Sequence, residues 1–219
     1  MSALAAAPLT RRYTIEEYLA LERETGEKYE FFDGEVYLWE AMAGSTLPHA
    51  RIANRTSTLL ENALPDECYT LSSDAKLSIP PLRRYRYPDL SVICGPPEYD
   101  VSVSHAALNP VALAEVTSDS SKDADYTSKA KQYMEHIPSL RDYLVVVQDE
   151  RFITLFSRKR EGDAWTVKHY GAGEQTVTIE SVDVTLDIDD IYRNIYWEDG
   201  KTKLGIKPEN PLTPAPPTS

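Results

Sequence analysis

The sequence predicts one α/β domain, of the α+β kind, built on a mixed β-sheet. Three observations lead to that prediction. The stretch 28–39 reads as two short strands around Asp33-Gly34, a favoured turn pair for an antiparallel hairpin. Near-continuous apolar runs at 111–116 and 143–148 predict buried strands. A helical pattern lies between these two runs, so they form a right-handed strand–helix–strand candidate within an otherwise hairpin-rich chain.

Local signals predict the remaining elements in chain order. Thr14 and Glu17 have the spacing of a capping box, which starts a helix that should end near Gly26. A second helix is expected from Pro48 to Leu64, and a third from Ser121 or Asp123 to about His136. The other expected elements are strands near 67–72, 74–79, 89–94, 151–158, 165–170, 175–180 and 184–188, and a short helical turn at 189–196.

Composition divides the chain into one domain and two flanking segments. At 219 residues and 42% hydrophobic content the chain is long enough to bury a real core. We expect residues 1–12 to be disordered, residues 13–198 to form the single domain, and residues 199–219 to form a flexible Pro-rich tail. The small apolar patch at 4–7 follows no basic region, so we do not interpret it as a signal peptide.

Charge and cysteine usage exclude several classes of protein. The net charge of −12 argues against tight non-specific binding of nucleic acid, which needs a basic face to neutralise phosphates. No apolar run approaches the roughly 20 residues that span a bilayer, so we expect no membrane segment and a cytoplasmic location. Cys68 and Cys94 have no CxxC spacing, which argues against a disulfide framework or a zinc site. No phosphate-binding glycine loop or Ser–His nucleophile motif is present.

Two acidic residues are tied to short apolar strands. Asp89 follows Pro88 at the start of one strand, and Glu115 lies inside another. Pro-Asp alone more often marks a turn, but a carboxylate inside an apolar strand is costly unless it is paired or binds a metal. Two such carboxylates with a lysine nearby suit a hard divalent cation that promotes phosphodiester hydrolysis. Asp125 and Lys129, four residues apart on the next helix, share one helix face.

The order and spacing of several short motifs resemble a known family. The motifs lie at 13–19, 29–36, His49, 87–89, 115–116, Ser118, Asp125, Lys129, Tyr133 and 137–144. Together they resemble the PD-(D/E)XK superfamily of restriction-endonuclease-like proteins, and within it a widespread bacterial family of endonuclease-like proteins formerly treated as a domain of unknown function. The resemblance covers roughly residues 13–195. It implies a restriction-endonuclease-like mixed sheet flanked by helices, with added antiparallel hairpins.

The resemblance also implies a set of site residues. Asp89 and Glu115 would be ligands of Mg²⁺ or Mn²⁺. The superfamily motif places its lysine two residues after the glutamate, where this chain has Thr117. The family alternative is a lysine that has migrated to the next helix, matched here by Lys129. Lys122 and Lys131 compete for that role, although Lys131 lies about 200° around the helix from Lys129, so both cannot face the site.

Four further residues are candidates for supporting roles. The hairpin register places Glu30 and Glu35 on one face, and like charges sharing a face need a cation, a metal or solvent. Either they are solvated, or one of them, Glu30 by the family match, lines the metal site. His49 is a candidate proton shuttle or a helix-start hydrogen-bonding residue. Asp125 is expected to orient Lys129.

The sequence therefore favours a metal-dependent endonuclease that acts on nucleic acid. DNA is the expected substrate, and its binding is expected to be weak or specific. The rival hypothesis is a weak or inactive nuclease-fold protein that serves as a binding or assembly module, because a fold does not determine a function. A sugar hydrolase using Glu30, Glu35 or Glu115 ranks last. The chain also has two clusters of basic residues. The second is interpreted as solvated loop charge, whereas the first is either loop charge or part of the site; the clusters are Arg83, Arg84 and Arg86, and Arg158, Lys159 and Arg160. The resemblance also makes a homodimer plausible.

Overall fold

A computed structural model describes residues 9–39, 46–103, 105–117, 125–198 and 200–205. In that part of the chain, helices separate and cover two main β-sheets. The elements that precede the first candidate site strand are α1 (Ile15–Thr25), β1 (Tyr29–Phe32), β2 (Glu35–Leu38), α2 (Leu47–Ala63), β3 (Cys68–Ser72), β4 (Lys76–Ile79) and β5 (Arg84–Arg86).

The remaining elements complete both sheets and add two small hairpins. They are β6 (Leu90–Cys94), β7 (Ala106–Ala107), β8 (Ala112–Thr117), α3 (Ala130–His136), β9 (Asp142–Val147), β10 (Phe152–Ser157), β11 (Thr166–Tyr170), β12 (Thr176–Ile179), β13 (Val184–Asp187), α4 (Ile188–Ile191), β14 (Ile195–Glu198) and β15 (Lys201–Leu204). Short 3-10 turns occur at Pro80–Leu82 and Glu180–Val182.

The larger sheet has the strand order β11-β10-β9-β8-β6-β3, and the smaller one β2-β1-β5-β4-β7. Strands β8 and β9 are parallel neighbours, whereas the other pairs in the larger sheet are antiparallel. The expected strand–helix–strand unit with parallel strands is therefore present, because α3 connects β8 to β9. The predicted mixed α+β fold is confirmed.

Three apolar clusters show how the layers stack. Helix α1 packs on one face of the smaller sheet through Tyr18, Phe31 and Tyr85. The other face of that sheet and the facing side of the larger sheet enclose α3, where Tyr133 and Tyr143 meet edge to face at 5.5 Å. Helix α2 and the β12–β13 hairpin cover the far side of the larger sheet. The candidate site lies where the larger sheet meets α2 and α3.

Local signals in the sequence account for α1 and the first hairpin. Thr14 and Glu17 make the reciprocal bonds of a capping box, and Gly26 ends α1 with a positive φ of 71°. The first hairpin has the predicted register, with Phe32 opposite Glu35. Glu30 and Glu35 therefore lie on one face, and the other face carries Tyr29, Phe31, Val36 and Leu38, which pack in the apolar cluster under α1.

The described residues extend beyond both expected domain ends. Leu9 N–H donates to the Val36 carbonyl at 2.9 Å and Tyr13 N–H to the Gly34 carbonyl at 2.8 Å, so this segment lies along the first hairpin. At the other end, β15 pairs with β14, and the helical turn expected at 189–196 is the shorter helix α4. The expected disorder of residues 1–12 and flexibility of residues 199–219 stay predictions. Residues 1–8 and 206–219 lie outside the described part of the chain.

The cysteine prediction is wrong. Cys68 and Cys94 form a disulfide that joins β3 to β6, with their Cα atoms 4.0 Å apart. The two residues are direct partners in the antiparallel register. Spacing along the sequence could not show this pairing, because the two cysteines are 26 positions apart and meet only when β3 and β6 pair. Within the described residues, no helix combines the length and the apolar character needed to cross a membrane.

Candidate active site

Strand register brings the two predicted carboxylates to the same end of the sheet. Strands β6 and β8 are antiparallel, with Leu90 opposite Ala114. Asp89 directly precedes Leu90 and Glu115 directly follows Ala114, so both residues lie at the same end of this strand pair. Val116 N–H, next to Glu115, donates to Asp89 Oδ2 at 2.8 Å. Asp89 is thereby attached to the strand that carries Glu115.

His49 contacts the same oxygen of Asp89 from the start of α2. Its Nε2 lies 3.1 Å from Asp89 Oδ2. Thr46 caps the helix, and its Oγ1 accepts from His49 N–H at 3.2 Å, which holds the histidine in the first turn. Burial by itself would lower the pKa of His49, but the hydrogen bond to Asp89 and the charges of Asp89 and Glu115 outweigh it and raise that pKa above its ordinary value.

Glu115 is held from two sides by residues of the helix that follows it. The residue is only 4% exposed. Tyr133 OH donates to its Oε1 at 2.9 Å, and Lys129 Nζ lies 3.5 Å from its Oε2. Burial, followed by the charge of Glu115, raises the pKa of Tyr133 well above its ordinary value, so the phenol stays protonated and donates.

The three lysines that compete for the role of site lysine differ in where they lie. Lys129 ends a π-helical turn, Asp125–Lys129, directly before α3, and its side chain is 23% exposed. Such turns are frequent at functional sites. Lys131 is exposed, as the helix geometry predicts, and Lys122 lies outside the described residues. Thr117 is fully buried, and its backbone continues β8.

Glu30 lies on the smaller sheet and binds arginines. Its Oε2 is 3.4 Å from Arg84 Nη2 and 3.7 Å from Arg86 Nε. Arg86 is almost fully buried, donates to Gln132 Oε1 on α3 at 3.2 Å, and has its guanidinium 5.7 Å from the centre of the Tyr133 ring. Glu30 therefore belongs to an ion cluster with Arg84 and Arg86, and Arg86 connects this cluster to Tyr133, whose hydroxyl contacts Glu115.

Of the two other supporting candidates, Glu35 does not join this group. Glu35 Oε2 accepts from Tyr37 OH at 2.6 Å, at the outer end of the first hairpin. The side chain of Asp125 lies outside the described part of the chain, so its predicted pairing with Lys129 stays a prediction. The structure thus brings together Asp89, Glu115, His49 and Lys129 and keeps Glu35 apart.

Sequence reasoning missed several residues that shape this site. Tyr133 was recognised only as part of a family motif, yet its hydroxyl contacts Glu115. The role of Thr46 as a cap was not recognised, although a threonine three residues before a histidine and directly before Leu47-Pro48 is a known start signal. Gln132 and Arg86 meet only through the packing of α3 on the smaller sheet, so no local signal could reveal their contact.

The side chains fit a hard divalent cation. Asp89 and Glu115 provide carboxylate oxygens, and Mg²⁺ commonly binds through one or two carboxylates while keeping several water ligands. Among the described residues, no group of three or more His, Cys, Asp or Glu side chains is arranged to hold a metal ion.

The fold and the paired carboxylates define a protein of the restriction-endonuclease-like superfamily. Comparison with solved structures agrees: a crystal structure of a nuclease described as "putative" and as belonging to DUF820, from Anabaena variabilis, superposes with a TM-score of 0.62 at 16% identity, over 82% of this chain and 97% of that one. That likeness concerns the fold.

The family follows from the sequence comparison. The model of the Uma2 family, described as "Putative restriction endonuclease", matches residues 15–189, so the chain belongs to the Uma2 family. Two relatives come from Synechocystis sp. (strain ATCC 27184 / PCC 6803 / Kazusa). Uncharacterized protein slr1290 is 35% identical over 181 residues, 82% of this chain and 91% of the relative. Uncharacterized protein sll1609 is 35% identical over 140 residues, 64% and 77% of the two chains. The predicted resemblance is confirmed.

Proposed function

We propose that this protein is a metal-dependent endonuclease that hydrolyses phosphodiester bonds of nucleic acid, DNA in the first place, with Mg²⁺ or Mn²⁺ as cofactor. One observation carries the proposal: the partly buried Asp89 is bonded to the strand that carries the buried Glu115, and Lys129 Nζ lies within ion-pair distance of Glu115. Family membership in a group described as restriction endonucleases supports the same reaction class.

Each residue would have a distinct task in that reaction. Asp89 and Glu115 would hold the cation, which would supply a Lewis acid and a bound water of lowered pKa. Lys129, partly exposed beside Glu115, would place a positive charge where negative charge develops on the phosphate. His49 orients Asp89 Oδ2 and is close enough to accept or return a proton at Nε2. Tyr133 orients the Glu115 carboxylate by donating to its Oε1.

The net charge of −12 favours one restriction on this proposal. A chain with this charge does not grip long duplexes through a general electrostatic attraction, so binding should be weak or should depend on specific contacts. The same observation supports the second candidate function, a binding or assembly module that retains the nuclease fold. The two candidates differ in whether a bound cation leads to cleavage.

The test is cleavage of supercoiled DNA, single-stranded DNA and RNA in Mg²⁺ and in Mn²⁺. We expect Asp89→Asn and Lys129→Met each to lower the cleavage rate by roughly 100-fold, because each removes a group that acts on the developing charge. The matched controls are Asp183→Asn, at an exposed turn, and Lys131→Met, on the exposed face of α3. Equal cleavage by wild type and Asp89→Asn would place the activity elsewhere. Cation binding to the wild type without cleavage would favour the binding module.

A further inference from the structure

Gln148 connects three elements around the candidate site. It follows β9 directly and is almost fully buried. Its backbone N–H donates to the carbonyl of Thr117, the last residue of β8, at 2.7 Å. Its side-chain Oε1 accepts from Thr46 Oγ1 at 2.5 Å, and its Nε2 donates to Asp149 Oδ1 at 3.2 Å, which determines the orientation of the amide. A buried amide with this many partners holds a defined position.

The Thr46 hydroxyl transmits that position to His49. The same Oγ1 that donates to Gln148 accepts from His49 N–H at 3.2 Å. A hydroxyl carries one proton and two lone pairs, so donation to Gln148 turns its lone pairs towards the helix start. His49 Nε2 then contacts Asp89 Oδ2. Gln148 is thus connected to Asp89 through two residues.

The C-terminal hairpin holds Gln148 from the opposite side. This hairpin is β14 and β15, and Trp197 is opposite Thr202 in its register. Trp197 Nε1–H donates to the Gln148 carbonyl at 3.1 Å. Thr202 Oγ1 lies 3.2 Å from the same carbonyl and 3.0 Å from Asp149 Oδ1, and its single proton is donated to one of these two acceptors. The Trp197 ring also packs on the main apolar cluster. The whole hairpin lies beyond residue 189, where the match to the family model ends.

We propose that Gln148 is a positioning residue of the active site, and that the β14–β15 hairpin is part of the catalytic apparatus because it holds Gln148 in place. This inference rests on the proposed function for its effect on cleavage. The route runs from Trp197 and Thr202 to Gln148, then through Thr46 to His49 and Asp89. Groups that hydrogen-bond to a metal ligand from outside commonly change metal affinity or activity 10–100-fold when they are replaced.

The first test is kinetic. Gln148→Met keeps the length of the side chain and removes the acceptor, and Thr46→Val removes the shared hydroxyl; we expect each to lower kcat about 10-fold or to raise the half-saturating Mn²⁺ concentration by a similar factor. Thr46→Ser keeps the hydroxyl and should restore wild-type values. Trp197→Phe keeps the ring but removes the N–H, so a change of about 3-fold in the same direction is expected. Gln175→Met and Thr58→Val, whose side chains are exposed, are the matched controls.

The second test does not depend on cleavage. Amide hydrogen exchange at His49, resolved by NMR, reports the bond from His49 N–H to Thr46. Exchange there should become about 5-fold faster in Gln148→Met and measurably faster in Trp197→Phe, with wild-type rates in the centre of α2. If the wild type cleaves nothing, the proposed function fails while this measurement still decides the coupling. Unchanged exchange at His49 in both variants would overturn the inference, and so would unchanged kinetics in an active enzyme.

Discussion

The contact between Tyr133 and Glu115 can be measured as a coupling energy. Tyr133 is fully buried, and its hydroxyl donates to Glu115 Oε1 at 2.9 Å. Tyr133→Phe removes that hydroxyl without opening a cavity, because the ring keeps its edge-to-face contact with Tyr143. The carboxylate of Glu115 then stays buried beside Lys129 with one hydrogen bond fewer.

The expected magnitude follows from burial and charge. A hydrogen bond to a charged group contributes about 1.5–3 kcal/mol, and its loss leaves a buried carboxylate less well solvated. We therefore expect Tyr133→Phe to lower the free energy of unfolding by about 2 kcal/mol at pH 7. For a chain of this size, each 1 kcal/mol shifts Tm by about 2–4 °C, so Tm should fall by about 4–8 °C.

A double-mutant cycle separates the contact from other effects. Urea unfolding of wild type, Tyr133→Phe, Glu115→Met and the double variant should give a coupling energy of about 2 kcal/mol between the two positions. Tyr170→Phe, a buried tyrosine on β11, is the control and should show no coupling to Glu115→Met. A coupling energy within error of zero for Tyr133 would refute the argument that this phenol holds Glu115.

Three further predictions concern the cluster on the smaller sheet, the disulfide and alkaline stability. Glu30→Gln should lower the free energy of unfolding by about 3–5 kcal/mol, since it leaves the buried Arg86 and the partly buried Arg84 without their carboxylate. Glu35→Gln should lower it by under about 1 kcal/mol, and urea unfolding of both variants measures the difference. Replacing Cys68 and Cys94 by Ser should cost about 3 kcal/mol for a 26-residue separation, and a wild-type mass that does not change on reduction would contradict the bond. Burial, and then a neighbouring aspartate, raises the pKa of Tyr85 to about 12 from an ordinary 10.0. The folded state therefore keeps the Tyr85 proton to higher pH than the unfolded state does, so stability is lost as pH rises from 10 to 12. In Tyr85→Phe, Tm should fall less steeply over this pH range than in the wild type. Parallel plots of Tm against pH for the two proteins would contradict this prediction.

Much of the fold could be predicted from local patterns. Capping residues, the Asp33-Gly34 turn and apolar runs determine most elements within a few residues, because these signals act over one helical turn or one hairpin. The ends of the chain were harder to predict. The polar sequence around 200–205 is typical of a flexible tail. In the structure it belongs to the β14–β15 hairpin, because Trp197 and Thr202 contact the carbonyl of Gln148 at the end of β9.

Some residues of the candidate site could be predicted from the sequence and others could not. Glu115 could be selected from sequence because a carboxylate in an apolar strand needs a physical reason, whereas Asp89 and Lys129 were selected through the family resemblance. Helix geometry shows only that Lys129 and Lys131 cannot both face the site; in the structure Lys129 Nζ lies 3.5 Å from Glu115 Oε2 and Lys131 is exposed. The roles of Glu30 and Glu35 could not be separated, because a hairpin register assigns both to one face and says nothing about what covers that face.

The sequence by itself determined the fold class, the family and the two carboxylates, because these depend on short-range patterns and on the cost of burying charge. Only the tertiary structure decided the partners of those carboxylates. Tyr133, His49 and Gln148 lie far along the chain from the groups they contact or hold, and their contacts arise when α2, α3 and the C-terminal hairpin pack against the end of one sheet. The disulfide between Cys68 and Cys94 could not be predicted from the sequence for the same reason, because only the pairing of β3 with β6 brings the two cysteines together.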